Sequence, residues 1–127
     1  TELVICDKVR KKANEIAEMT VIGYVTGKDV IMIDDIVDTG RTLANAANIM
    51  MDKGAKSVSA YCTHPVLSGE AYETIEKSQL KELVVTDTIP LKKESSKIRV
   101  LSSAKLFARA IRNTHEHRSI SSLFINN

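Results

Sequence analysis

The feature of this sequence that most limits its fold is a set of short runs with apolar residues at consecutive positions. In residues 30–33, Val-Ile-Met-Ile, every side chain is apolar, so neither face of a strand formed there would suit water. Such runs are typical of central strands in a parallel sheet covered on both faces. The predicted strands span residues 3–6, 29–34, 57–62, 83–86 and 98–101.

Segments with helical spacing separate several of these runs. Two of them show the i, i+3, i+4, i+7 pattern of an amphipathic helix, with a glycine as a left-handed cap after the first and serines as N-caps before the second. Their residues are Leu43, Ala46, Ala47, Met50 and the cap Gly54, then Ser102 or Ser103, Ala104, Phe107, Ala108 and Ile111. A third, shorter helix is predicted to start near Ser68. The alternation predicts an α/β fold with helices packed on a doubly wound, mainly parallel sheet.

Two segments show neither the apolar runs of the predicted strands nor the spacing of the predicted helices. Residues 8–18 contain Lys8, Arg10, Lys11 and Lys12, and their composition predicts a charged, mobile loop. Most such charge runs are simply solvated. Residues 86–97 contain Pro90 and many polar side chains, which indicates a second surface loop.

Composition limits the size and the partners of the chain. The 127 residues suit one domain, and a net charge of +2 is too small to indicate a nucleic-acid groove. No stretch approaches the roughly 18 apolar residues of a membrane span, so no membrane partner is expected. Cys6 and Cys62 lie in apolar runs, where buried free thiols are commoner than a disulfide, and this favours the cytoplasm. The first residues already resemble a strand in progress, so we expect a cut piece of a longer protein.

The segment with the clearest chemistry is residues 30–43. A buried strand delivers Asp34 and Asp35 at its carboxyl end, where open α/β sheets bind ligands. The turn Asp-Thr-Gly-Arg-Thr at 38–42 follows and leads into a helix, and its N–H groups and hydroxyls predict a phosphate site. Carboxylates beside a phosphate would be explained by ribose hydroxyls or by a magnesium ion. The alternative is an acidic turn that merely caps the helix.

This segment resembles the phosphoribosyl-diphosphate binding fingerprint of the type I phosphoribosyltransferase fold. Three further segments, residues 7–10, 21–29 and 63–69, resemble the carboxy-terminal half of the ribose-phosphate pyrophosphokinase family, as does the ending Ser-Ile-Ser-Ser-Leu-Phe at 119–124. The resemblance covers essentially the whole chain. It implies a single phosphoribosyltransferase-like domain over residues 1–127, with an amino-terminal domain of similar fold missing.

The resemblance also implies roles for individual residues. The loop that holds the 5-phosphate of ribose 5-phosphate corresponds to Asp38, Thr39, Gly40, Arg41 and Thr42. Asp34 and Asp35 correspond to the pair facing the ribose hydroxyls. Lys8 and Arg10 correspond to the cations of a catalytic loop, with Arg10 also contacting substrate. Ser121 and Ser122 correspond to part of a regulatory phosphate or ADP site.

The implied reaction transfers the diphosphoryl group of ATP to the 1-hydroxyl of ribose 5-phosphate, with Mg²⁺ as cofactor and phosphate as an activator. The family assembles as hexamers built from dimers, and its metal-binding His lies outside this sequence, so the fragment alone is expected to be inactive. Two alternatives remain open. A phosphoribosyltransferase would share residues 34–42, and a non-catalytic synthetase-associated regulatory subunit would keep the fold. The spacing of Lys8 and Arg10 opposes both.

Overall fold

The computed structural model describes residues 2–9 and 18–124, with side chains given for residues 2–6 and 19–124. Its main sheet has four parallel strands in the order β3-β4-β5-β6, and a separate hairpin pairs β1 with β2 in antiparallel fashion. The strands are β1 Ile5–Val9, β2 Glu18–Ile22, β3 Asp29–Val37, β4 Ser57–Pro65, β5 Glu82–Thr86 and β6 Ile98–Leu101. The helices are α1 Arg41–Asp52, α2 Ala71–Lys77 and α3 Ala104–His115, followed by a 3-10 turn at Ser121–Leu123. The predicted α/β class with a mainly parallel sheet is confirmed.

The hairpin is the main departure from the predicted elements. Residues 3–6 were expected to form a strand of the parallel sheet, whereas β1 begins at Ile5 and pairs with β2. Lys8 was expected in a loop, but its backbone lies in β1 opposite Met19, and Glu18 begins β2. Residues 10–17 lie outside the described part of the chain. Antiparallel strands can keep one face in solvent and therefore accept charged residues. For this reason the charged composition of the segment did not predict its strands.

The core lies on one face of the main sheet, beneath α1 and α2. Its fully buried side chains come from both helices and from β4 and β5, and include Met50, Ile75, Val58, Leu83 and Val85. The predicted glycine cap is confirmed. Gly54 has φ +86°, its N–H donates to the carbonyl of Met51 at 2.9 Å, and Ala55 donates to Met50 at 3.0 Å. These two bonds form a Schellman motif, which ends α1.

On the opposite face of the main sheet, Val84 of β5 is buried but β3 has little cover, which contradicts the prediction that both faces of its strands are covered. Ile31 and Ile33, alternate residues of β3, are 62% and 85% exposed. α3 begins at Ala104 as predicted, but no residue of α3 is buried, and its apolar residues Phe107 and Ile111 face solvent. The sequence therefore indicated correctly which surfaces are apolar, but the described residues do not bury all of them.

The two cysteines differ in exposure. Cys62 is buried as predicted, and burial raises the pKa of its thiol. Cys6 is exposed, so the prediction that it is buried is wrong, because β1 belongs to the hairpin rather than to the main sheet. Neither forms a disulfide. None of the helices in the described ranges is long and apolar enough to cross a membrane.

Candidate functional site

The link between β3 and α1 is a three-residue bend, residues 38–40, at the carboxyl edge of the main sheet. α1 begins at Arg41, two residues before the predicted start near Leu43. The N–H of Ala44 donates to the carbonyl of Gly40 at 2.9 Å, so the N–H groups of residues 41–43 precede the first helical hydrogen bond. No acidic residue lies in this first turn. The positive end of α1 therefore provides donors and a favourable field for a phosphate.

Gly40 is required by the packing of this bend as well as by its backbone. Its φ is +70°, a left-handed conformation that favours glycine. Gly40 is buried, and a β-carbon added there would lie 3.3 Å from Cγ1 of Ile75 and 3.6 Å from the carbonyl oxygen of Ala71. The absence of a side chain at Gly40 therefore allows the bend to pack closely against α2. Thr39, Arg41 and Thr42 are exposed around it.

Asp38, which begins the bend, is held by the segment between β4 and α2. The hydroxyl of Ser68 donates to the Asp38 carboxylate, and the N–H of Ser68 donates to the Asp38 carbonyl at 3.0 Å. The N–H of Leu67 donates to the carbonyl of Val37 at 3.1 Å. Ser68 was expected near the start of a helix and within the segment 63–69, with no individual role, and that helix begins three residues later, at Ala71.

The two acidic residues expected at the ribose lie inside β3, because this strand continues three residues past its predicted end, to Val37. Both Asp34 and Asp35 are exposed, and the N–H of Asp35 donates to Oδ1 of Asp34 at 2.9 Å. Successive strand residues point to opposite faces, so the carboxylates approach the sheet edge from different sides. Asp34 borders a depression of about 160 Å³ at the strand ends, together with Ile33, Tyr61, Cys62, Thr63, Val84, Val85, Thr86 and Leu101.

Hydroxyl groups join the ends of β4 and β5 beside this depression. Thr86 and Thr88 both donate through Oγ1 to the carbonyl of Thr63, at 2.7 and 2.9 Å. Nδ1 of His64 lies 3.0 Å from Oγ1 of Thr88. The backbone ladder between these strands ends at Cys62 and Val85, so the side chains extend the pairing beyond it. Nothing in the sequence marked the two threonines as part of the site.

The remaining candidate residues are not brought to this bend by any contact in the described structure. The backbone of Lys8 lies in β1, and its side chain and all of Arg10 lie outside the described residues. Ser121 and Ser122 are exposed in the 3-10 turn that packs against α3. Within the described part of the chain, no three His, Cys, Asp or Glu side chains are grouped as metal ligands.

Comparisons with known proteins bear on this geometry. The family model described as "Phosphoribosyl synthetase-associated domain" matches residues 4–125. The chain belongs to this family. It is 58% identical over 124 residues to a ribose-phosphate pyrophosphokinase of Wolinella succinogenes, covering 98% of this chain and 40% of that protein. A protein of the same name from Campylobacter jejuni is 54% identical over 124 residues, with the same coverage.

A solved structure agrees with the family assignment. Phosphoribosylpyrophosphate synthetase from Mycobacterium smegmatis superposes with a TM-score of 0.76 at 38% identity, over 79% of this chain and 34% of that one. The predicted resemblance to ribose-phosphate pyrophosphokinases is confirmed. The chain spans about 40% of the length of the curated relatives it matches.

Proposed function

We propose that this domain of the phosphoribosyl synthetase-associated family binds ribose 5-phosphate in an enzyme that transfers the diphosphoryl group of ATP to the sugar's 1-hydroxyl. The products would be 5-phosphoribosyl 1-diphosphate and AMP, for nucleotide biosynthesis in the cytoplasm. The observation that carries the proposal is the bend at residues 38–40, which presents the N-terminus of α1 at the carboxyl edge of the sheet. The names of the relatives that match 98% of the chain support the same reaction.

The 5-phosphate would lie at residues 38–42. N–H groups at the start of α1 and the hydroxyls of Thr39 and Thr42 would bind its oxygens, and the exposed Arg41 adds a cation nearby. Phosphate binding at a helix N-terminus depends on backbone groups, so it needs a fixed backbone more than a particular side chain. The burial of Gly40 against α2 supplies that fixed position.

The ribose would lie toward Asp34 and Asp35, because ionised carboxylates accept hydrogen bonds from sugar hydroxyls. Their oxygens also fit Mg²⁺, which proteins commonly hold with one or two carboxylates together with substrate phosphates. Asp34 and Asp35 are two exposed carboxylates of this kind, and the described residues group no third His, Cys, Asp or Glu side chain with them. Bound there, Mg²⁺ would neutralise charge on the ATP phosphates.

Lys8 and Arg10 would supply cations to the transferring group. Charge spreads over the phosphoryl oxygens in such a transfer, and positioned cations stabilise it. The β1–β2 hairpin supports this role because it carries Lys8 and leads directly into the segment that contains Arg10.

We also propose that this sequence is most of a carboxy-terminal domain whose amino-terminal domain lies outside it. The unpaired edge of β3 supports this. Among the described strands, the nine-residue β3 pairs only with β4, so its other edge has no partner there. The side chains of Ile31 and Ile33 are also largely exposed. Long apolar edges attract other strands, and natural proteins cover or blunt them. The chain covers 40% of the length of such a relative, so the remainder of that length would be enough to cover this edge and the exposed face beside it.

Hydrogen exchange of β3 amides tests the domain proposal. In the full-length protein, the amides on the free edge should exchange far more slowly than in the 127-residue chain alone, since a paired amide exchanges only on opening. The amides that bond to β4 are the internal control. Equal, fast exchange at the free edge in both proteins would contradict the proposal.

Oligomer formation is part of the same proposal, as a hexamer built from dimers. The apolar surface of α3 supports it, because Leu106, Phe107 and Ile111 are all at least half exposed on one helix. Large exposed apolar patches are typical of association surfaces. Ser121 and Ser122 follow this helix, so a regulatory site for phosphate or ADP would lie beside that surface. The proposal includes neither nucleic acid nor membrane as a partner.

The function is tested by AMP release from ATP and ribose 5-phosphate in the full-length protein with Mg²⁺. AMP formation that requires both substrates supports it, and the 127-residue chain alone should release none. A folded full-length protein that releases no AMP contradicts it. Consumption of phosphoribosyl diphosphate with a nucleobase would instead indicate a phosphoribosyltransferase, and absence of both activities would indicate a regulatory subunit.

A further inference from the structure

The segment that leaves β4 runs alongside the end of β3 and holds it by three hydrogen bonds. Leu67 and Ser68 donate their N–H groups to the carbonyls of Val37 and Asp38, at 3.1 and 3.0 Å. The Ser68 hydroxyl donates to the Asp38 carboxylate. Asp38 and Ser68 are 30 residues apart in sequence, so this contact exists only in the folded chain.

This segment is held in an unfavourable backbone conformation. Leu67 has φ +45°, which is rare for a residue with a branched side chain, and it is only 2% exposed. Left-handed residues other than glycine persist only where surrounding structure requires them, and they concentrate at functional sites. Here the conformation lets consecutive N–H groups of Leu67 and Ser68 both meet the end of β3.

The same segment supports the other end of the bend. The N–H of Ala71 donates to the carbonyl of Ser68 at 3.1 Å, which ties Ser68 to the start of α2. α2 in turn presents Ala71 and Ile75 to Gly40. The bend is therefore held at Asp38 by hydrogen bonds and at Gly40 by packing.

A negative side chain at Asp38 is otherwise hard to explain in a phosphate loop, because two anions repel. The hydrogen bond from Ser68 gives the carboxylate a partner on the α2 side of the bend. Hydrogen bonds to a charged acceptor are stronger than those between neutral groups, so this contact can fix the orientation of Asp38.

We propose that Ser68 is a positioning residue for the phosphate-binding bend, acting through Asp38 to hold the N–H groups of residues 39–42 in place. This inference rests on the proposed function, since it assigns Ser68 to the binding of ribose 5-phosphate. Ser68 does not touch the substrate. Its loss lowers affinity because the bend must then be ordered when the phosphate binds.

Ser68→Ala in the full-length protein is the central test. The KM and the directly measured Kd for ribose 5-phosphate should rise about tenfold, the size expected for one hydrogen bond to a charged group. The KM for ATP and kcat should stay within about twofold. Ser68→Thr keeps a hydroxyl and should restore most of the affinity.

The chain offers a matched control at the opposite end of the same two strands. The hydroxyl of Ser57 in β4 donates to Asp29 in β3 at 2.5 Å, and this bond lowers the pKa of Asp29. Ser57→Ala removes an equivalent serine–aspartate bond away from the bend, so both ribose 5-phosphate constants should be unchanged. An Asp38→Ala background tests whether Ser68 acts through Asp38, because adding Ser68→Ala should then change the Kd for ribose 5-phosphate by less than twofold.

Several results would overturn the inference: an unchanged Kd in Ser68→Ala, an equal loss in Ser57→Ala, or a full further loss in the Asp38→Ala background. A fall in kcat with no change in the sugar constants would also overturn it. A protein that binds ribose 5-phosphate but releases no AMP would contradict the proposed reaction alone, and the Kd series would still decide the role of Ser68. A wild-type protein that does not bind ribose 5-phosphate would overturn both.

Discussion

Replacing Gly40 with alanine should loosen the phosphate-binding bend more than an identical change at Gly27. Both glycines have φ +70°, so both variants carry the left-handed backbone cost of about 1–2 kcal/mol. Nothing lies within 4 Å of a β-carbon added at Gly27, whereas at Gly40 it would meet Cγ1 of the fully buried Ile75 at 3.3 Å. Overpacking a buried contact costs about 1–3 kcal/mol more. We therefore expect about 1–2 kcal/mol for Gly27→Ala and about 2–5 kcal/mol for Gly40→Ala.

Hydrogen exchange of the amides of α1 measures this difference. The N–H of Gly27 donates to the carbonyl of Gly54 at 2.7 Å, so Gly27 lies at the carboxyl end of α1 while Gly40 lies at its amino end. A factor of ten in exchange corresponds to 1.4 kcal/mol, so Gly40→Ala should exchange roughly tenfold faster than Gly27→Ala. Equal rates in the two variants would refute the reasoning, because they would show that only the backbone conformation matters. Faster exchange in Gly27→Ala would refute it more strongly.

Three further predictions concern Asp87, Lys8 and Asp34. Hydrogen bonds from Ser102 and Ser103 lower the pKa of Asp87 from 3.8 to about 2, so its carboxyl should titrate near pH 2 by NMR and move toward 3.8 in Ser103→Ala. Because folding lowers this pKa, its stabilising effect is present above pH 3.8 and is lost as the pH falls toward 2; a normal titration would contradict the contacts. Lys8→Ala should lower kcat by orders of magnitude with little change in ribose 5-phosphate affinity, whereas a binding loss at normal kcat would argue against catalysis. Asp34→Asn should weaken sugar binding, and unchanged kinetics would remove it from the site.

The parts of the fold that the sequence predicted well are those fixed by local patterns. β3, the bend and α1 follow one another within residues 29–52, and apolar runs, turn residues and helical spacing mark each of them. The left-handed Gly54 is also a local signal. The hairpin was missed because its strands carry charges and pair across a segment of no clear period.

Contacts between distant segments could not be predicted in the same way. Nothing near Ser68 in the sequence indicates that its hydroxyl donates to Asp38. Likewise, nothing near Thr88 indicates that its hydroxyl lies beside the ring of His64. Such contacts follow from the register of β3, β4 and β5, which must be known first. The uncovered face of β3 shows the same limit in reverse, because an apolar run indicates that a strand is buried without indicating what buries it.

The packing of the bend separates two properties of the proposed enzyme. Its support comes from α2, which packs against Gly40, and from Ser68, which donates hydrogen bonds to Asp38. The cations expected to act on the transferring group come from a different unit, the β1–β2 hairpin, which contacts α1 through β2. Changes that loosen α2 should therefore alter the affinity for ribose 5-phosphate, whereas changes in the hairpin should alter turnover. The contrast expected between Ser68→Ala and Lys8→Ala follows from this arrangement, since Ser68 supports the bend whereas the backbone of Lys8 belongs to the hairpin.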